Sequence, residues 1–311
     1  MLQNNPRFVM MLMALLLLVF VEWTNAFMTP TTTVRSDLAL NLSSGVEVED
    51  VSRRQWFVST IVTATASWYG ERVEAAPTSK VLVLGGTGFI GSRVVQQLQR
   101  AGISVTATSR DGRDGTVALD ILTTDHVVDR VKELATGCQA VISCWGAIGT
   151  ANDNVINSAS GLAAKGAKAA GVDRFVSFGI APEVVQAASG IEFIQPYIQG
   201  KQFAKQSIQS LFGESGVIIE PTFVHGGDSF GVNPPRVAGF YGEFIEGILS
   251  SSPVRAIEGA LPRGNIIQVA LEPPISVDTV ASAAVAAALG KLGSSVSLDT
   301  YDKIKEVAGL L

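Results

Sequence analysis

The chain has 311 residues, of which 47% are hydrophobic and 16% are charged, a composition typical of globular rather than disordered proteins. The net charge is −5, and no run of Lys or Arg provides the basic surface that nucleic acids require, so nucleic-acid binding is excluded as a function class. The sequence holds two Cys and two His whose spacing matches no zinc pattern, so no metal site is expected (Cys138, Cys144, His126 and His225).

The first 26 residues have the pattern of a secretory signal peptide. Arg7 precedes an apolar run, Phe8 to Val21, which is short for a membrane-spanning helix but has the length of a signal-peptide core. Thr24 and Ala26 then place small residues at the two positions that a signal peptidase reads. The alternative is a membrane anchor that is not cleaved.

Residues 27 to 79 have the composition of further targeting segments. The stretch Phe27 to Ser44 is rich in Thr and Ser and holds one acidic residue, which is typical of transit peptides. A signal peptide followed by a transit peptide that starts with Phe resembles the two-part plastid leader of diatoms and related algae. The pair Arg53 and Arg54, followed by Trp56, also resembles a twin-arginine signal for the thylakoid lumen, and an incidental Arg pair is the alternative. The sequence predicts a plastid protein and leaves open the stroma, the lumen and peripheral association with the thylakoid membrane.

The folded domain is predicted to cover residues 80 to 311, where strand and helix patterns alternate. Predicted strands cover Lys80–Leu84, Ser104–Ser109, Val117–Leu119, Ala140–Cys144, Arg174–Phe178 and Gly216–Ile219. One predicted helix begins at Gly88 and ends at Ala101, and the others cover Asp125–Leu134, Asn152–Ala170, Tyr197–Phe212, Phe240–Leu249 and Val277–Leu289. This order predicts an α/β fold with a doubly wound parallel sheet of the Rossmann type, followed by a small C-terminal elaboration on the substrate side.

The first predicted strand runs directly into a glycine-rich turn, GGTGFIG, that opens a helix. Gly85 permits the tight turn, Gly88 lets the backbone approach a pyrophosphate, and Gly91 lets the helix pack against the strand. The helix N-terminus offers free N–H groups and the positive end of its dipole to phosphate oxygens. A merely structural turn is the alternative. The strand–turn–helix context predicts that a dinucleotide cofactor is bound by Gly85, Thr87, Gly88, Phe89, Ile90 and Gly91.

The residues beyond the next strands indicate which dinucleotide is bound. NAD-binding folds place an acidic residue at the tip of the second strand, whereas this strand ends at Arg110, with Arg113 shortly after it. A guanidinium fits the 2′-phosphate of NADP(H), so this cofactor is favoured, with NAD(H) and a surface Arg as the alternatives. Asp120 follows the third strand, where a carboxylate can accept a hydrogen bond from the adenine amino group. Gly146 follows the fourth strand and would let the backbone pass close to the ribose and nicotinamide.

Tyr197 and Lys201 form a Tyr-x-x-x-Lys pair that shares one helix face. A surface Tyr and a solvated Lys are the alternative. The order of parts from Lys80 to about Lys291 resembles the atypical and extended short-chain dehydrogenase superfamily. The resemblance implies that Tyr197 is the general acid/base, and that Lys201 lowers its pKa and binds the nicotinamide ribose.

The match is nearest to one branch of that superfamily. The segments that carry it are Val141–Gly146, Arg174–Ser177, Tyr197–Lys201, Pro221–Gly226 and Pro273–Ala281. Together they resemble the plastid Rossmann proteins of plants. Those are similar to a fungal mitochondrial protein of the coenzyme Q synthesis complex and, more distantly, to the Rossmann accessory subunit of mitochondrial complex I. Several relatives bind NADP(H) without a demonstrated turnover.

The chain departs from the superfamily's catalytic pattern beyond the fifth strand. The superfamily usually has a Ser or Thr there, whereas Gly179 to Ala181 offer no hydroxyl, and Glu220 stands where relatives usually carry Arg. Loss of that hydrogen-bond donor would weaken oxyanion stabilisation by a few kcal/mol, on the order of one oxyanion-hole bond. His225 is expected either as a polar contact in the substrate pocket or as a structural His. Cofactor binding is therefore expected, and hydride transfer is left open.

Three functions remain as hypotheses. The first is an NADP(H)-dependent oxidoreductase that acts on a small plastid metabolite, such as a quinone, isoprenoid or pigment precursor. The second is a non-catalytic NADP(H)-bound subunit that stabilises or regulates a membrane-associated complex. The third is an epimerase or dehydratase that acts on a nucleotide sugar, which shares the fold but has no further support in the sequence.

Overall fold

The computed structural model describes residues 79–227, 231–232, 235–236, 239–260, 266–292 and 297–311. The predicted signal peptide, and the predicted targeting segment as far as residue 78, lie outside these residues. Within the described part of the chain, no helix combines the length and the hydropathy that a membrane crossing needs.

A seven-stranded sheet forms the centre of the described fold. Its strands are β1 (Lys80–Leu84), β2 (Ser104–Ser109), β3 (Val117–Ala118), β4 (Ala140–Ser143), β5 (Arg174–Phe178), β6 (Gly216–Ile219) and, at the far edge, β11 (Ser297–Leu298). The spatial order is β11-β6-β5-β4-β1-β2-β3, and every neighbouring pair is parallel. The order reverses between β1 and β4, which is the switch point of a doubly wound sheet, so the predicted fold class is confirmed.

Helices cover both faces of this sheet, because its central strands are aliphatic on both sides. One face packs against α1 (Phe89–Arg100), α9 (Val277–Ala288) and α10 (Tyr301–Ala308). The other face packs against α2 (Val127–Ala135), α3 (Asp153–Ala169) and α5 (Gln195–Phe212). A short helix, α4 (Pro182–Ala187), follows β5.

The remaining elements form the C-terminal elaboration. Strand β7 (Val224–His225) pairs in parallel with β10 (Ile275–Ser276), and β8 (Gly231–Val232) pairs antiparallel with β9 (Pro235–Arg236). In chain order, three helices lie between β9 and β10, namely α6 (Gly239–Leu249), α7 (Ser252–Gly259) and α8 (Ile266–Leu271). These helices share a separate apolar cluster formed by Ile245, Leu249, Val254 and Leu271.

The structure moves several predicted boundaries by one or two residues. Helix α5 begins at Gln195 rather than at Tyr197, because Pro196 is tolerated in the first helical turn, where its missing N–H has no intrahelical partner. Strand β3 ends at Ala118 instead of Leu119, although the Leu119 N–H still donates to the carbonyl of Ser109 at 2.8 Å. The sequence pattern did not predict β11 or α10.

Candidate cofactor and substrate site

The glycine-rich turn is fastened to the end of β2. The N–H of Gly86 donates to the Thr108 carbonyl at 2.8 Å, and the N–H of Gly85 donates to Thr108 Oγ1 at 3.2 Å. Gly85 has φ +77°, a conformation that L side chains rarely adopt. The backbone therefore turns sharply at the carboxyl edge of β1, as the sequence predicted.

The same turn has the shape that a pyrophosphate requires. A Cβ at Gly91 would lie 2.1 Å from the Gly85 carbonyl oxygen, and a Cβ at Gly88 would lie 3.2 Å from it. Gly88 is the N-cap of α1, with no side-chain cap and no acidic residue in the first helical turn. Nothing in the first turn of α1 therefore opposes an anion on electrostatic grounds, and the residues present fit the diphosphate of a dinucleotide.

The loop after β2 brings Arg113 back to this turn. Arg113 Nη2 donates to Thr87 Oγ1 at 3.3 Å, while Arg110 is exposed at the strand tip. The loop curls because Gly112, Asp114 and Gly115 all adopt positive φ angles. Arg110 is the residue predicted to bind the 2′-phosphate, whereas the cation that contacts the turn in this structure is Arg113. The Asp and Gly residues on both sides of Arg113 are turn formers and could have indicated that the chain bends back there.

Trp145 follows β4 at the switch point between β1 and β4. A Cβ at Gly85 would be 3.2 Å from Trp145 Cδ1, and the N–H of Cys144 donates to the Leu84 carbonyl at 2.9 Å. Burial raises the pKa of the Cys144 thiol to about 12. Cys144 therefore stays protonated at neutral pH and is a packing residue rather than a nucleophile.

Lys201 is buried at the carboxyl ends of β4 and β5. Its Nζ donates to the carbonyl of Phe178 at 2.8 Å and to that of Trp145 at 3.2 Å. Burial lowers the pKa of this amine to about 8. A Cβ at Gly146 would lie 3.1 Å from Lys201 Nζ, so the open side of Gly146, which we expected to admit the cofactor, faces this amine.

The pKa of Tyr197 is raised, whereas the resemblance to short-chain dehydrogenases implied that it is lowered. Its ring packs against an apolar cluster that includes Ile148, Ile180 and Ile198. Burial raises the pKa of the phenol, and the carboxylate of Asp153 raises it further. In this arrangement Lys201 donates to two backbone carbonyls and the Tyr197 ring lies in apolar surroundings, which is why burial dominates the pKa of the phenol.

A cavity of about 210 Å³ lies beside Lys201, over the carboxyl ends of β5 and β6. It is lined by Gly179, Ile180, Pro182, Val185, Lys201, Gln202, Lys205 and Glu220. Lys205 Nζ lies 2.9 and 2.7 Å from the two carboxylate oxygens of Glu220. Lys205 was not among the predicted site residues, although it stands one helical turn after Lys201.

Two further candidate residues lie away from this cavity. Asp120, just beyond β3, accepts a hydrogen bond from the Leu122 N–H at 3.0 Å, so it stabilises a turn. His225 is 1% exposed, and its Nε2 is 2.7 Å from Glu246 Oε2, while Glu246 Oε1 accepts from the Tyr301 hydroxyl at 2.6 Å. Of the two expectations for His225, this placement fits a structural His rather than a contact in the substrate pocket. Among the described residues, no group of His, Cys, Asp and Glu is arranged to hold a metal ion.

Residues 85–232 match a family model described as NAD(P)H-binding. An uncharacterized chloroplastic protein of Arabidopsis thaliana is 28% identical over 262 residues, which is 79% of this chain and 83% of that protein. Solved structures are also similar. WbmH of Bordetella bronchiseptica with bound NAD⁺ is 20% identical, with TM-score 0.45 over 70% of this chain and 73% of that one. The oxidoreductase ylbE of Lactococcus lactis is 19% identical, with TM-score 0.41 over 48% and 71%.

Proposed function

We propose that the protein is an NADP(H)-dependent oxidoreductase of a plastid, and the match of residues 85–232 to a family model described as NAD(P)H-binding supports this proposal. Its substrate is a small metabolite, such as a quinone, isoprenoid or pigment precursor. The observation that carries the proposal is the cavity over the ends of β5 and β6, which borders the helix of Tyr197 and Lys201. In its bound state NADPH supplies a hydride. The plastid location is supported by the leader pattern and by the name of the Arabidopsis relative.

The choice of NADP(H) rests on the two arginines after β2, because Arg110 directly follows the strand and the acidic residue of the loop, Asp111, comes after it and lies 3.9 Å from Arg113. We expect Arg113→Ala to weaken NADPH binding roughly tenfold or more, as loss of a charged hydrogen bond to a phosphate does, and to change NADH binding little. Arg110→Ala should act in the same direction with a smaller effect. Fluorescence titration of both reduced cofactors measures this. Arg100→Ala, at the exposed end of α1, is the control. Equal losses for the two cofactors would contradict the assignment.

Turnover is tested by an NADPH oxidation assay on the wild-type protein and on the Tyr197→Phe variant. The purified protein loaded with NADPH should oxidise it with at least one member of a quinone and carbonyl panel, followed at 340 nm. Tyr197→Phe should reduce that rate roughly 100-fold, the usual contribution of a general acid, while NADPH binding stays unchanged. Tight cofactor binding without consumption by either protein would refute the enzyme proposal.

A second candidate is a non-catalytic NADP(H)-bound subunit of a membrane-associated complex. Two observations favour it. The Lys201 amine is bound to strand carbonyls, and the pKa of Tyr197 is raised rather than lowered. If this candidate is correct, the same assay should show tight NADPH binding and no NADPH oxidation with any panel member.

A further inference from the structure

Helix α5 places a second lysine at the cavity beside Lys201. Lys205 stands four residues later, so both side chains lie on one helix face. Its side chain is 31% exposed, and its Nζ is within hydrogen-bond distance of both Glu220 oxygens. An ammonium has three protons, so one proton remains for a group inside the cavity.

Glu220 holds this ammonium in place. Its side chain is 3% exposed and also accepts a hydrogen bond from the Ser297 hydroxyl, while its N–H donates to the Leu298 carbonyl at 2.9 Å. A Cβ at Gly179 would lie 2.8 Å from Glu220 Cγ and 3.0 Å from Glu220 Oε1. The residue directly after β5 therefore has no side chain because the Glu220 carboxylate occupies that space.

Few other groups that line the cavity can donate to a ligand. Ile180, Pro182 and Val185 are apolar. Lys201, like Lys205, keeps one proton beyond its two hydrogen bonds, but Lys201 is buried against the two backbone carbonyls, whereas the Lys205 side chain is 31% exposed. Gln202 is exposed at the rim. A carbonyl oxygen that gains negative charge during reduction needs a positioned donor, and the Glu220 carboxylate positions the Lys205 ammonium.

We propose that Lys205 binds the oxygen of the substrate, and that the cavity takes a small molecule with a carbonyl or carboxylate oxygen on an apolar body. The apolar body contacts Ile180 and Val185, and Glu220 is the positioning residue for Lys205. The cavity volume of about 210 Å³ admits a compound of one ring. This inference rests on the proposed oxidoreductase function and names the chemical class of its substrate.

The test is binding of 4-fluorobenzoate and 4-fluorobenzaldehyde to the NADP⁺-loaded protein, followed by ligand ¹⁹F NMR, with 4-fluorotoluene as the probe that lacks the oxygen. Lys205→Met alone leaves a buried carboxylate unpaired and endangers folding. The informative variant is therefore Lys205→Met combined with Glu220→Gln, which removes both charges and keeps a partner for Ser297. Lys165→Met, on the exposed face of α3, is the matched control.

We expect the wild-type and control proteins to bind the two oxygen-bearing probes, and the double variant to bind them at least tenfold more weakly. NADP⁺ affinity should be the same in all three proteins. Equal probe binding by the double variant, or no probe binding by the wild-type protein, would overturn the proposal for Lys205. Either result leaves the oxidoreductase function standing if NADPH is still consumed, whereas failure of NADPH consumption with intact probe binding would refute only that function.

Discussion

Gly91→Ala is expected to reduce NADP(H) affinity at least 100-fold, because the added methyl group meets the backbone of the phosphate-binding turn. The added Cβ would lie 2.1 Å from the Gly85 carbonyl oxygen and 2.9 Å from its carbon. Both are backbone atoms of the turn, so the clash is relieved only if the turn opens or α1 shifts away from β1. Overpacking of this kind costs about 1–3 kcal/mol or more in a close-packed site, and the displaced N–H groups no longer converge on the phosphates.

The measurement is a fluorescence titration with NADPH alongside thermal unfolding of the apo protein. Gly247→Ala is the matched control, because a Cβ at this exposed position in α6 meets nothing within 4 Å. Alanine in place of glycine inside a helix should raise stability by up to about 1 kcal/mol and leave binding unchanged. If Gly91→Ala binds NADPH like the control, the turn is not the phosphate site.

The fold could be predicted because its main features are local in sequence. Buried parallel strands appear as short runs rich in β-branched residues, as in β1 and β6, and a glycine turn between strand and helix is contiguous. The edge strand β11 could not be predicted in this way. It has two residues, and it exists because Leu298 and Ser297 pair with β6, almost 80 positions earlier in the chain.

The candidate site was predicted only where its parts are neighbours in sequence. The contact of Arg113 with Thr87 spans 26 residues, and the bond between Ser297 and Glu220 spans 77. Neither contact follows from the helical or strand periodicity of the sequence, so neither could be predicted from it. The sequence showed Glu220 only as a departure from the relatives' pattern. It could not show why residue 179 is glycine. A side chain there would occupy the space that Glu220 fills, and this contact arises because β5 packs beside β6.

The Tyr197 and Lys201 pair shows the limit of a spacing argument. Four residues of helix put both side chains on one face, as predicted. The spacing says nothing of the carbonyls of Trp145 and Phe178, which bind the Lys201 amine. It also says nothing of the apolar cluster around the Tyr197 ring, where burial opposes ionisation.

Arg255→Met is expected to destabilise the protein by about 3–5 kcal/mol near pH 8, because it leaves buried carboxylates without their cation. Arg255 Nη1 lies 2.5 Å from Glu258 and 3.2 Å from Glu272, and its Nη2 lies 3.0 Å from Asp302. Glu258 and Glu272 are 8% and 5% exposed. The guanidinium thus joins α7, the residue after α8, and α10, and its loss removes one of the polar links between the C-terminal elaboration and the last helix.

The loss of stability caused by Arg255→Met should depend on pH, because the charge of Glu272 changes with pH. Burial and the Glu258 carboxylate raise the pKa of Glu272 from 4.5 to about 7, in spite of Arg255. The unfolded chain therefore loses this proton first as the pH rises. The stability that the protonated carboxyl contributes is complete below about pH 4.5 and is lost as the pH rises through about 7. Without Arg255 the ionised form is less stable still, so the deficit of Arg255→Met should be large at pH 8 and less than half as large at pH 5.

Thermal and urea unfolding at the two pH values measure both effects. Arg130→Met is the matched control, since Arg130 also pairs with a Glu three residues later, at 2.5 Å, but with side chains 36% and 68% exposed. An exposed pair contributes about 0–1 kcal/mol, so this control should differ little from the wild-type protein at either pH. Adding Glu272→Gln to Arg255→Met should restore part of the stability at pH 8 and flatten its pH dependence. A deficit that is the same at both pH values would show that Arg255 acts through packing of its aliphatic stem rather than by neutralising buried carboxylates.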